Sequence, residues 1–255
     1  MSSVLITGAS KGIGRALATE LAGRGHRVIA TARDPEALAD VPAAQRLRLD
    51  VTDQDSVDRA IKDAGEVDVL VSNAGATVRA PMESVPIAEI DRLFQLNTLG
   101  ALRVAQGVLP SMRERGSGRL VFMSSIQGRL ALPIIGPYAA SKWALEAIAE
   151  TLAIEAGHFG VQVSIVQPGA VSSGGAERAT VYFTEDDPYL PLLEKLRAIR
   201  GEAVTPEYVA AAIADLVEAP NPPLRLPIGA PAEQALKARK EAPENEPFRL
   251  AKIDW

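Results

Sequence analysis

The chain of 255 residues has no cysteine, which excludes disulfides, thiolate metal sites and a cysteine nucleophile. Histidine is almost as scarce: His26 and His158 stand too far apart in sequence to suggest a metal site, and each is expected at a helix end or on the surface. Aromatic residues make up 4% of the chain, and no apolar run reaches the ~18 residues of a membrane-spanning helix. Basic charge is not in excess. With 27 Lys and Arg against 32 Asp and Glu, the net charge of -5 gives no reason to expect a nucleic-acid or membrane partner. Met1 to Thr7 runs straight into a strand pattern and leaves no room for a signal peptide, so the cytoplasm is the expected compartment.

What is present suits one globular domain with a large core: 47% of residues are hydrophobic and 23% charged. Short apolar runs at 4–7, 27–32, 46–49, 67–72, 120–124, 161–167 and 224–227 read as strands. Several are apolar almost throughout, as strands covered on both faces must be. Helical periodicity falls between them, at 14–22, 53–63, 87–115, 138–158 and 206–218. Repeated strand–helix alternation implies right-handed crossovers and an α/β architecture, with a doubly wound, mostly parallel sheet and helices on both faces. No repeat or linker divides the chain, so a single domain over 1–255 is expected. Residues 172–204 depart from the rhythm, and 231–255 read as a polar, Pro-rich extension ending in Trp255.

The segment Thr7-Gly8-Ala9-Ser10-Lys11-Gly12-Ile13-Gly14 follows the first strand and opens the first helix. Glycines there let the backbone turn tightly and approach a pyrophosphate, which the free N–H groups and dipole of the helix N-terminus stabilise. A turn that only connects strand to helix is the plainer alternative. The spacing is neither Gly-x-Gly-x-x-Gly nor a P-loop. At the end of the second strand an NAD site usually offers a carboxylate to the ribose. This chain offers Ala32 and Arg33, with Lys11 in the glycine turn, and two cations suit a 2′-phosphate, favouring NADP(H) over NAD(H). Solvated surface charges are the alternative for both. Asp34 precedes Pro35 and reads as a helix cap.

Tyr138 and Lys142 lie four residues apart and so on one side of a helix, with Ser125 upstream. A free phenol titrates near ~10, whereas a cation about 4 Å away at an effective dielectric of ~20 is worth roughly 4 kcal/mol, or about 3 pK units. The expectation is that Lys142 lowers the Tyr138 phenol toward neutral pH, where proton transfer works best. Alone, such a pair is also compatible with ordinary helix surface.

With these motifs in order, the chain resembles the short-chain dehydrogenase/reductase family over positions 3 to about 229. The glycine turn matches the family's cofactor turn, Asp50-Val51 its adenine-contacting pair, and Asn73-Ala74-Gly75 its motif after strand four. Asn97 matches the asparagine credited with holding a proton-relay water. Ser125, Tyr138 and Lys142 match the catalytic serine, tyrosine and lysine, and Pro168-Gly169 matches the pair facing the nicotinamide. Val171 and Ser173 follow as further cofactor contacts; Ser173 replaces the family's usual threonine, and Ser72 stands where many members have a first Asn. The stretches 121–129 and 222–229 are similar to the subgroup related to 17β-hydroxysteroid dehydrogenases.

The resemblance implies a Rossmann-like fold and hydride transfer between a nicotinamide and a carbonyl or alcohol. Tyr138 would be the general acid–base, Lys142 would lower its pKa and bind the ribose, Ser125 would hold the substrate oxygen, and Asn97 would complete a water path. Residues 130–135 and 181–183 are candidate pocket walls for a hydrophobic ketone or aldehyde, with 172–204 as a lid; core packing and a subunit contact explain those runs as well. A homodimer or homotetramer pairing through the helices at 87–115 and 138–158 is implied by the family, although their alanines would pack equally well on the chain's own sheet. Two alternatives stay open: a non-catalytic NADP-binding regulatory protein, and an NAD-dependent alcohol dehydrogenase.

Overall fold

Seven parallel strands form one sheet in the computed structural model, which describes residues 1–175, 179–198 and 202–249. The strands are β1 (Ser3–Ile6), β2 (Arg27–Ala32), β3 (Gln45–Arg48), β4 (Val69–Ser72), β6 (Gly118–Met123), β7 (Val161–Pro168) and β9 (Arg225–Ile228), in the order β3-β2-β1-β4-β6-β7-β9. All seven strands expected from the apolar runs form, with ends moved by one or two residues. Alternate residues feed opposite layers: Val4, Ile6, Val69 and Val71 face one core, while Leu5 and Leu70 face the other. Fully buried Phe122 anchors the second core, and such a side chain contributes roughly 1.5–3 kcal/mol relative to exposure.

Helix α1 (Gly12–Gly23) and helix α7 (Pro206–Glu218) cover the first core. Helices α2 (Gln54–Ala64), α4 (Gly100–Arg115) and α5 (Gly136–Glu155) cover the second. Caps fix several starts: Asp53 accepts from Ser56 N, Thr205 from Tyr208 N, and Asp34, as expected, from Glu36 N. The chain builds outward from β1 to β2 and β3, then returns to the other side of β1 with β4. That reversal between β1 and β4 opens the crevice where ligands bind in such sheets.

Three features differ from the sequence expectation. The helix expected at 87–115 is three pieces: α3 (Ile87–Phe94), a π turn over Gln95–Leu99, and α4. The two-residue strands β5 (Val78–Arg79) and β8 (Thr180–Val181) form a second parallel sheet, too short to leave a periodic signal. Helix α8 (Ala230–Glu241) occupies the tail, whereas α6 (Leu190–Ala198) forms where a charged helical stretch follows residues 186–191, as the sequence leads one to expect. Pro231 sits in the first turn of α8, where a missing N–H costs nothing. Trp255 lies outside the described residues.

Candidate active site

The crevice is stitched at its floor by Thr7 and Asn73, which follow β1 and β4. The Thr7 Oγ1 accepts from the backbone N of Asn73 and of Ala74, both at 2.9 Å, while Asn73 Nδ2 donates to the Thr7 and Gly8 carbonyls at 2.9 and 3.1 Å. Glycine is required in the turn above. Gly8 and Gly12 have φ of +69° and +55°, and a Cβ on Gly14 would lie 2.4 Å from the Gly8 oxygen. No side chain caps the first turn of α1, and no acidic residue lies in it, so its orphan N–H groups face an anion-compatible turn. Ser173 reaches over that turn, its Cβ 3.4 Å from where a Cβ on Gly12 would be.

Arg33 and Lys11 are exposed beside the turn, and neither forms an ion pair among the described residues. Arg33 acts electrostatically on Asp50. Burial raises the Asp50 carboxyl, but two hydrogen bonds from Thr52 with the charges of Arg33 and Arg48 outweigh it and hold the group below its ordinary value. Val51 is buried against Gly100, where a Cβ would come 2.7 Å from its Cγ2.

The π turn turns the buried Asn97 side chain inward. Its Oδ1 accepts from Ala76 N, and its Nδ2 donates to the Ala76 carbonyl and to Ser141 Oγ, each at 2.9 Å. Ser141 in turn donates to the Tyr138 carbonyl at 2.7 Å, joining α5 to the turn after β4. Ser125, just past β6, donates to the Pro168 carbonyl at 3.4 Å and accepts from Gln127 N at 3.2 Å. Lys142 Nζ donates to the Met123 carbonyl at 2.6 Å and lies 5.8 Å from the centre of the Tyr138 ring. Ser125, Tyr138, Lys142, Asn97 and the ends of β4, β6 and β7 thus converge at one end of the sheet.

One electrostatic expectation is corrected. Burial pushes the Tyr138 phenol up to about 12, only partly opposed by the Ser125 hydrogen bond, and burial brings the Lys142 amine down to about 8. Lys142 spends its first donor on a backbone carbonyl rather than on the phenol, and desolvation of both groups exceeds their mutual effect.

The outer rim is made by residues near Val171, at 180–182 and near Val204. Val171 bridges to Val204, Ser172 N donates to the Val204 carbonyl at 2.9 Å, and Val204 N donates to the Ala170 carbonyl at 3.0 Å, so the excursion leaves and returns through one neck. Strand β5 ties its far end to the loop before Tyr138: β8 pairs with β5, and Ala80 N donates to the Ile134 carbonyl at 2.8 Å. Ile134 holds a φ of +70°, which costs a β-branched residue energy and is maintained by this packing. Tyr182 OH donates to Glu89 at 3.1 Å, fastening the same edge.

The chain matches the family model for short chain dehydrogenase over residues 2–180. It belongs to the short-chain dehydrogenase family. Human 17-beta-hydroxysteroid dehydrogenase type 1 is 36% identical over 248 residues, covering 87% of this chain and 76% of that protein. A short-chain dehydrogenase structure from Streptomyces avermitilis superposes with a TM-score of 0.86 at 38% identity, over 94% of this chain and 92% of that one. Another, from Burkholderia cenocepacia in complex with NADP, gives a TM-score of 0.78 at 26% identity, over 94% of both chains. The likeness to the 17β-hydroxysteroid dehydrogenase subgroup therefore extends over most of the chain.

Within this dehydrogenase fold the structure brings Gly8, Ser10, Lys11, Gly12, Ile13, Gly14, Asn73, Ala74, Gly75 and Ser173 to the crevice, with Arg33 after β2 and Asp50 and Val51 after β3 on the same edge of the sheet. Pro168, Gly169 and Val171 close the other end, where Gly169 lies against Ala232 of α8. Sequence reasoning missed Ser141, the Met123 carbonyl, and the buried Glu146 with its partners Gln167 and Arg225. Glu146 lies one helical turn beyond Lys142 on the buried face that also carries Ala139, Leu145 and Ala149, the signal that could have found it. Among the described residues no cluster of His, Asp and Glu could hold a metal, and no helix is long and apolar enough to cross a membrane.

Proposed function

We propose that this short-chain dehydrogenase interconverts a carbonyl and an alcohol on a hydrophobic small molecule with NADP(H). The observation that carries the reading is the convergence of three side chains: Ser125 at the end of β6, bonded to the Pro168 carbonyl, and Lys142, buried 5.8 Å from the Tyr138 ring centre and bonded to the Met123 carbonyl. The glycine turn fits a dinucleotide: Gly8 and Gly12 hold positive φ, the helix N-terminus is uncapped, and Gly14 lets that helix sit close against the Gly8 carbonyl and Asn73. Gly8, Ser10, Gly12 and Ile13 would hold the pyrophosphate, Asp50 and Val51 the adenine, and Lys142 with Pro168 and Gly169 the nicotinamide end. Arg33 and Lys11 would receive a 2′-phosphate. A bound nicotinamide supplies or accepts the hydride.

The chain's own residues handle the proton. Ser125 donates a hydrogen bond to the substrate oxygen and keeps it within reach of Tyr138, stabilising charge as it develops there. Tyr138 gives its hydroxyl proton to that oxygen in reduction, and takes it back in oxidation. The phenol near 12 makes Tyr138 a firm proton holder; the charged Lys142 ammonium favours its release during transfer. Asn97, bound to Ala76 and Ser141, holds the helix and the turn after β4 in register beside the tyrosine.

The loop at 130–135 and the segment at 181–183, which begins in β8, are joined through β5, so both belong to one rim, and we assign 172–204 as the lid over it. The 17-beta-hydroxysteroid dehydrogenase relative supports a hydrophobic substrate, and the NADP complex supports the cofactor. The outward face of α4 and α5 exposes Trp143 and Ile154 beside a depression lined by Leu102, Ile148 and Leu152, which supports pairing of two copies there. The cytoplasm is the proposed compartment. A panel of apolar ketones and aldehydes, followed through NADPH absorbance, tests the reading. Turnover that is lost in Tyr138→Phe with NADPH binding retained supports it; equal turnover by wild type and variant overturns it.

A further inference from the structure

Glu146 is a buried carboxylate with 3% exposure, one helical turn after Lys142 and two after Tyr138 on α5. Its Oε1 accepts from Gln167 Nε2 at 2.8 Å and its Oε2 from Arg225 Nε at 2.9 Å. Gln167 directly precedes Pro168, whose carbonyl accepts from Ser125 Oγ. Gly128 brings the turn after Ser125 against the same carboxylate: a Cβ there would stand 2.6 Å from Ser124 Oγ and 3.1 Å from Glu146 Oε1. One carboxylate therefore touches the elements that carry Ser125, the β7 end, and the Tyr138–Lys142 pair. Stability alone is a weak reason for this arrangement, since a buried ion pair is commonly no better than apolar residues of the same volume.

We propose that Glu146 is a positioning residue whose carboxylate steadies the Lys142 ammonium, with Arg225 grading that influence by sharing the carboxylate. At i and i+4 the two side chains lie on one helix face, about 5–6 Å apart at Cβ. The groups facing Lys142 are Tyr138 and Glu146 from α5 and the Met123 carbonyl from β6. Those facing Glu146 are Gln167 from β7, Arg225 from β9, and Ser124 across Gly128. Arg225 also binds Glu150, which Arg129 influences in turn. Burial lowers the Lys142 amine to about 8 and the Glu146 charge opposes that fall, in keeping with the geometry.

The inference deepens the proposed use of Lys142, but its test does not depend on turnover. The 13Cε resonance of Lys142, assigned by its loss in Lys142→Met, is titrated in the cofactor-free protein, with circular dichroism confirming the fold. In Glu146→Gln the Lys142 midpoint is expected to move to lower pH by about half a unit or more, because an attractive charge is gone. In Arg225→Gln it is expected to move up, because the carboxylate is no longer shared. Loosened packing would hydrate the amine and raise the midpoint in both variants, so two upward shifts overturn the proposal, as do two unchanged midpoints. If Glu146→Gln does not fold, Arg225→Gln decides alone: an upward shift with unchanged circular dichroism supports the coupling, and an unchanged or lower midpoint overturns it. A wild-type protein that turned over no carbonyl would refute the proposed function and leave this titration standing.

Discussion

Replacing Lys142 by Met should make the protein relatively more stable at neutral pH than at alkaline pH. The folded amine titrates at about 8 against an ordinary value of 10.5. Between those values the unfolded chain holds a proton that the folded chain has lost, so wild-type stability rises with pH through this window. The penalty for carrying the buried ammonium is therefore complete below pH ~8 and gone above ~10.5, a swing of roughly 3 kcal/mol for a shift of about 2.5 units. Lys142→Met also strips a donor from the Met123 carbonyl, which costs about 1–3 kcal/mol at any pH. That constant part cancels when the variant is compared with wild type at two pH values. Urea unfolding of both proteins at pH 7 and pH 10 should give a variant-minus-wild-type difference that falls by about 2–3 kcal/mol between them. A difference equal at both pH values, or one that grows with pH, would refute a desolvated lysine at this position.

Carbonyl reduction should lose kcat/KM as pH rises through about 8, where the Lys142 charge is lost, and a profile flat to pH 10 would contradict the role given to it. Arg33→Asp should weaken NADPH binding far more than NADH binding, measured by fluorescence; equal losses would show that Arg33 does not read the 2′-phosphate. Gly14→Ala forces a Cβ to within 2.4 Å of the Gly8 oxygen, so unfolding stability should fall by about 1–3 kcal/mol and dinucleotide affinity should fall with it. Unchanged stability would mean that the turn can open. Tyr182→Phe removes the bond to Glu89, and proteolysis within 172–204 should become faster while the substrate KM rises; no change in either would show that this contact does not fasten the lid.

The seven main strands were legible because each is a short apolar run that must be buried on both faces. The glycine turn was legible because it needs residues without a Cβ at named spacings. The π turn was not: its effect is to add one residue to a helical turn and swing Asn97 inward, which leaves the apolar pattern of 87–115 almost unaltered. The strands β5 and β8 are two residues each, and their pairing is set by tertiary contact with Ile134 and Tyr182 rather than by alternation. Helix α8 was hidden by a polar sequence whose buried contacts are small, chiefly Ala232 and Ala235. The tyrosine–lysine pair was found from its spacing, but its electrostatics were misjudged. A surface dielectric was assumed for a lysine that the fold buries and a tyrosine that it half-buries, and the Met123 carbonyl that engages the ammonium carries no side-chain signal.

The central claim is that the crevice between β1 and β4 binds a phosphorylated nicotinamide dinucleotide beside Tyr138. Fluorescence titration of the purified protein with NADPH and, separately, with NADH tests it most directly. The account predicts tight, saturable NADPH binding and much weaker NADH binding. A preference for NADH would contradict the roles of Arg33 and Lys11, and binding of neither would contradict the enzyme reading itself.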